Sequence, residues 1–95
     1  MRFPLKTEDQ RNRIRDAQTI YQTGSWWLAV LVTEYGDDHK LRIEVYKWGV
    51  KKGGTSQNLE DWYQKDHLVI NKANHLQKLR TVLDELAPHL GSQDG

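Results

Sequence analysis

The side chains able to do chemistry in this 95-residue chain are four histidines, a few carboxylate pairs, and a large set of aromatic rings placed among cations. The histidines come first because they could hold a metal or shuttle protons. His39, His67, His75 and His89 show no ligand spacing such as i, i+4 on one helix. The stretch Asp37-Asp38-His39 is better explained as a turn. Glu60-Asp61 and Asp84-Glu85 are adjacent pairs whose side chains diverge, unlike the facing carboxyls of an acid/base couple. Cysteine is absent, which excludes disulfide frameworks, zinc–thiolate clusters and thiol nucleophiles together. No glycine pattern follows a strand and opens a helix, so no phosphate loop is implied. The expectation is a protein without catalytic residues, metal or cofactor: a binding scaffold, not an enzyme.

The rings and cations carry the positive signal. Four Trp and four Tyr are many for so short a chain. Lys40–Trp48 (KLRIEVYKW) alternates cleanly, with Leu41, Ile43 and Val45 on one side and Lys40, Arg42, Glu44, Tyr46 and Trp48 on the other. Trp26–Tyr35 (WWLAVLVTEY) is rich in β-branched and aromatic residues and has the length of a strand. One sheet face should therefore carry Leu28, Val30, Val32, Leu41, Ile43 and Val45, to be covered by a helix. The opposite face should show Trp27, Ala29, Leu31, Thr33, Tyr35, Lys40, Arg42, Tyr46 and Trp48. Rings interleaved with cations suit unpaired nucleic acid. Its bases stack on π faces, worth ~1–3 kcal/mol per base, while Lys and Arg neutralise phosphates. Two plainer readings compete: Trp27, Ala29 and Leu31 as core or dimer interface, and cross-strand aromatic pairs that stabilise a sheet with no ligand.

Other elements must position that face. Residues 1–18 read as a polar arm or short helix, with Thr7 and Gln10 as a capping box for a helix reaching about Gln18. Arg11 and Arg15 would share one side of it. Thr19–Thr23 is β-prone and ends at Gly24-Ser25. Gly36-Asp37-Asp38-His39 closes a hairpin, and 49–58 (GVKKGGTSQN) is a loop. A fourth strand spans Trp62–Ile70, and Asn71 is a plausible N-cap. From Lys72 the leucines Leu76, Leu79, Leu83, Leu86 and Leu90 recur at spacings of three and four, up to a stop near Pro88. The predicted fold is α+β: a curved four-stranded antiparallel sheet followed by an amphipathic C-terminal helix. Residues 1–18 form the arm, 19–90 one binding domain, and 91–95 a tail.

Net charge is only +1, so composition alone does not announce a nucleic-acid partner. A monomer of this size buries only about 60–65% of its unfolded surface, so a second subunit would help. The leucine spacing resembles a heptad seam, with Val82 widening the stripe, and a twofold homodimer is the expected assembly. The longest apolar run, Trp26–Val32, is far short of the about 20 residues of a membrane helix. The opening MRFPLKTEDQ lacks the apolar stretch of a secretory signal. The reading is therefore a soluble intracellular protein with no membrane partner.

The order of a short strand, a glycine turn, two long hairpin strands, a loop, a fourth strand and a terminal helix resembles the positive cofactor 4 family of transcriptional coactivators. IYQTG at 20–24 looks like the family's first strand and turn, and VTEY at 32–35 is similar to its hairpin end. KLRIEVYKW at 40–48 looks like its third strand, and WYQKDHLVI with the 72–87 helix is similar to its last strand and dimerising helix. The likeness covers residues 19–87. It implies a homodimer that binds single-stranded or melted DNA, with little sequence preference, on the sheet face away from the helices. By position it implies Tyr35 and Trp48 as stacking rings, and Lys40, Arg42 and Lys47 as backbone contacts. Lys51, Lys52 and Lys65 would contribute from the loop and final strand. Leu76, Leu79, Val82, Leu83 and Leu86 would form the dimer seam. Two positions depart from the pattern. Thr33 stands where the family has a basic residue, and Asp66-His67 stands where it has a basic–glycine pair. Both remove positive charge.

The expected role is single-stranded DNA binding in transcription, replication or recombination, with that machinery as a further partner. The setting would be cytoplasmic and nucleoid-associated in a bacterium or phage-infected host, or nuclear in a eukaryote. Two alternatives remain: a double-stranded RNA-binding domain, with Lys72 and Lys78 at the start of its final helix but no use for the aromatic face, and a protein- or carbohydrate-binding module using that same face.

Overall fold

The structure is a computed structural model that describes residues 2–91. The tail expected at 91–95 lies, beyond Gly91, outside the described residues. A short helix α1 (Glu8–Asn12) leads into four strands, β1 (Ile14–Gln22), β2 (Trp26–Tyr35), β3 (Lys40–Val50) and β4 (Trp62–Ile70), followed by helix α2 (Ala73–Leu86). The strands form one antiparallel sheet in the order β1-β2-β3-β4. The α+β reading stands at this level. Among the described residues, no helix is long and apolar enough to cross a membrane.

Local chemistry accounts for the element ends. The Thr7 hydroxyl accepts from the Gln10 amide at 3.1 Å, and the Gln10 side chain takes the Thr7 amide in return. The helix stops at Asn12, not Gln18, because the β-prone run from Ile14 pairs with β2. Thr23 closes the first hairpin by accepting, at its hydroxyl, the amides of Ser25 and Trp26. The second hairpin turns through Gly36 and His39, both with left-handed backbone (φ 74° and 56°). The same region that suits Gly is costly for His, and ordinary only in a turn. The α2 N-cap is Lys72, not Asn71, and no side chain caps it.

Regular pairing is interrupted three times. Arg15 and Ile20 are extra residues in β1 against β2, and Lys65 is an extra residue in β4 against β3. Such bulges bend and twist a sheet.

The core lies on one face. Trp27, Ala29, Leu31 and Thr33 of β2, Glu44, Tyr46 and Trp48 of β3, and Trp62 of β4 are buried there. Their cover comes from the chain start, where Phe3 and Leu5 are also buried. The sequence expectation had the faces reversed. The face of Leu28, Val30, Val32, Ile43 and Val45 is only half-buried, and Leu41 is 54% exposed. Helix α2 follows β4 and has no buried residue. Physical cost explains the reversal. Burying a large apolar side chain contributes about 1.5–3 kcal/mol, and three indoles outweigh a set of valines and leucines when one cover must be shared out.

The resulting shape is a slab of 44 × 39 × 18 Å with a radius of gyration of 15.1 Å. A compact domain of this length has a radius of about 12 Å. The excess reflects a thin molecule with a helix at its edge.

Candidate nucleic-acid interface

Four residues on the covered face stack into a ladder. Phe3 lies on Trp48 at 5.9 Å between centroids, and Trp48 on Tyr46 at 5.0 Å with planes 2° apart. Tyr46 then meets His67 at 4.2 Å. Trp27 closes the side, 5.2 Å from Trp48, 5.4 Å from Phe3 and 5.5 Å from Trp62. Each indole nitrogen of the two outer tryptophans has a partner: Trp27 donates to Thr19 Oγ1 at 3.1 Å and Trp62 to the Ser56 carbonyl at 3.3 Å.

Below the ladder sits a carboxylate. Glu44 accepts from Thr33 Oγ1 at 2.6 Å and from the Tyr46 hydroxyl at 3.2 Å, and lies 2.7 Å from His67 Nε2. Arg42 approaches it at 3.6 Å. Burial alone would raise the Glu44 pKa. Hydrogen bonds from Thr33 and His67, with the Arg42 charge, outweigh that and hold it below the usual value. Burial, then the Glu44 charge, pushes Tyr46 up to about 12. Among the described residues, no group of three or more His, Asp or Glu is arranged to hold a metal.

The residues singled out from the sequence divide into four groups. Thr33, Tyr46 and Trp48 are buried at 3%, 5% and 1%, so as the chain stands they cannot stack on bases from an open face. Phe3 covers Trp48, Tyr46 lies between Trp48 and His67, and Thr33 is held to Glu44. Tyr35 and Arg42 are half-buried, with the guanidinium 5.3 Å over the tyrosine ring, and Lys40 is exposed beside Asp38 at 3.3 Å. Lys51, Lys52 and Lys65 are exposed. Lys47 points to the other face, its ammonium 4.9 Å over the Trp26 ring.

Sequence reasoning missed Phe3 and Leu5, the pairing of buried Glu44 with His67, and a groove beside the cover. That groove, about 940 Å³, has Trp48 and Trp62 in its lining together with Arg2, Lys6, Arg11 and Lys51. Glu60 is its sole acid among the described lining residues. Helix α1 sets Arg11 in place, and the Arg11 guanidinium donates to the Leu5 carbonyl at 2.8 Å. The one available signal was the apolar pair Phe3 and Leu5 in an otherwise polar arm. A smaller hollow of about 180 Å³ at the hairpin end holds Glu34 between Arg15 and His39. The His39 hydrogen bond, then Arg15, keeps the Glu34 carboxyl low against a smaller opposing effect of burial.

The seam residues lie along α2. Leu76, Leu79 and Val82 are half-buried, while Leu83 and Leu86 are 56% and 53% exposed. No family model, curated protein or solved structure matches the chain.

Proposed function

We propose that this chain binds single-stranded DNA with little sequence preference, as a homodimer, in the service of transcription, replication or recombination. The observation that carries the reading is the groove in which four cations, Arg2, Lys6, Arg11 and Lys51, border a floor of tryptophan. Cations of this density neutralise successive phosphates and release their counterions. Trp48 and Trp62, 1% and 5% exposed, lie beneath the groove, and an indole brought into reach would offer the stacking face that unpaired bases seek and duplexes hide. The hairpin end of the same face adds Tyr35, Arg42 and Lys40.

Dimerisation rests on separate support. The aliphatic face and the exposed Leu68, Leu83, Leu86 and Leu90 leave much apolar surface in water for a chain of this size. A second copy is the occupant that matches, because both the sheet face and the leucine stripe are apolar and neither carries a strong charge to select a different partner.

The test is a titration of tryptophan emission with an oligothymidylate, a duplex and an RNA of equal length, at two salt concentrations. The single strand should bind tightest, and weaken steeply as salt rises. Replacing Arg11 and Lys51 together by Ala should lower affinity at low salt and flatten the salt slope by about two. Binding that prefers the duplex, or ignores salt, would remove this reading in favour of the duplex-RNA or carbohydrate alternative.

A further inference from the structure

The cover over the tryptophans is attached differently from the rest of the core. Phe3 and Leu5 are 2% and 9% exposed and belong to the buried core. Yet among the described residues, no backbone hydrogen bond joins 2–6 to a strand. Leu5 N donates to Phe3 O within the segment, Lys6 N donates to the Gln10 side chain, and Arg11 donates to Leu5 O. Among the described residues, the polar ties of 2–6 run inside the segment or to α1, and side-chain packing holds Phe3 and Leu5 to the sheet. A segment of this kind can lift as a unit, pivoting at the Thr7 cap, without opening any strand pairing.

What it covers is equally specific. The Phe3 ring lies 28° from the plane of Trp48 and 5.4 Å from Trp27, as a flat six-membered ring seated between indoles. The flanking residues Arg2 and Lys6 border the cationic groove. A pyrimidine base has the size and flatness of that phenyl ring, and its phosphates would run past Arg11 and Lys51, the groove cations outside the segment.

We propose that the Phe3–Leu5 segment is a removable cover that competes with the single strand for its tryptophan floor, so that binding ejects Phe3 and seats a base in its place. This rests on the single-strand reading above and adds a closed state to it. In the closed state the chain has affinity only through the groove; with the cover lifted, Trp48 becomes a stacking ring. Apparent affinity is then reduced by the fraction of molecules with the cover open.

Phe3 is the chain's only phenylalanine, so incorporation of 4-fluorophenylalanine gives a single fluorine signal that reports the cover. On addition of oligothymidylate, that signal should move from its buried position to that of a phenylalanine in an unfolded peptide. In parallel, Phe3→Ala should bind the same oligonucleotide roughly tenfold tighter, for a cover open about one-tenth of the time. If the oligonucleotide binds the parent and the fluorine signal stays put, the cover is permanent and this inference fails while the groove reading survives. If neither parent nor variant binds at low salt, both fail. Should Phe3→Ala not fold, the fluorine measurement on the parent decides alone.

Discussion

The two faces of one sheet make the useful comparison here. On one, three tryptophans and Tyr46 are sealed under Phe3 and Leu5. On the other, Leu28, Val30, Val32, Ile43 and Val45 stand half-covered, and α2, which follows β4, leaves Leu83 and Leu86 in water. Both faces have the alternation of a buried face, so periodicity does not rank them. Ring area and the availability of a cover do. The difference teaches that a sheet with two apolar faces gives its first covering segment to the face with more surface to lose, and leaves the other half-covered.

The comparison can be broken first at Trp48. Trp48→Ala should destabilise the chain by about 3–5 kcal/mol in urea or thermal unfolding, the cost of a large cavity in a packed core. A loss below about 1 kcal/mol would mean that the ring face is open in solution. Next in size is Leu83→Asp. Leu83 is 56% exposed, so the sheet should keep its unfolding midpoint at low concentration. The sedimentation mass should fall from a dimer to near 11.2 kDa. A persistent dimer would move the seam off α2.

Glu44→Gln tests whether the sealed face depends on charge. Near neutral pH it should cost about 1–3 kcal/mol, the worth of hydrogen bonds to a charged group. The folded Glu44 pKa lies below its ordinary 4.5. Its contribution is therefore full above about pH 4.5 and is lost as pH falls through the lower folded value. The parent's stability should drop across that acid window, and the variant's drop should be smaller. Parallel curves would show that Glu44 is not charged in the fold. Smallest is Lys47→Ala, on the open face. It should cost under about 1 kcal/mol, the worth of its seat over Trp26. Oligonucleotide affinity should hardly change, because Lys47 faces away from the groove; a large loss would place the strand on the aliphatic face.

Much of this architecture is legible in the residues. Strands β2 and β4 have the limits that β-propensity and turn residues assign, and the Thr7–Gln10 capping box forms. Alternation also assigns Trp27, Thr33, Tyr46 and Trp48 to one shared face, as the cross-strand pairs Trp27–Trp48 and Ala29–Tyr46 require. What could not be read is which face closes. That depends on Phe3 and Leu5, separated from the strands they cover by a polar helix, and local periodicity carries no information about such a distant contact. The Glu44–His67 pair was equally hidden, since it joins residues 23 positions apart. Its register depends on the extra residue in β4.

That extra residue, Lys65, has a consequence for the sequence as a code. In an unbroken strand, positions 62 and 67 would project to opposite sides, because their separation is odd. The bulge resets the count midway, so Trp62 joins the indoles and His67 reaches the carboxylate. Forcing Lys65 into regular alternation would therefore act as a frameshift in three dimensions: everything upstream would keep its side while Leu68 and Ile70 traded places with His67 and Val69. One lysine thus lets a single strand be written in two phases.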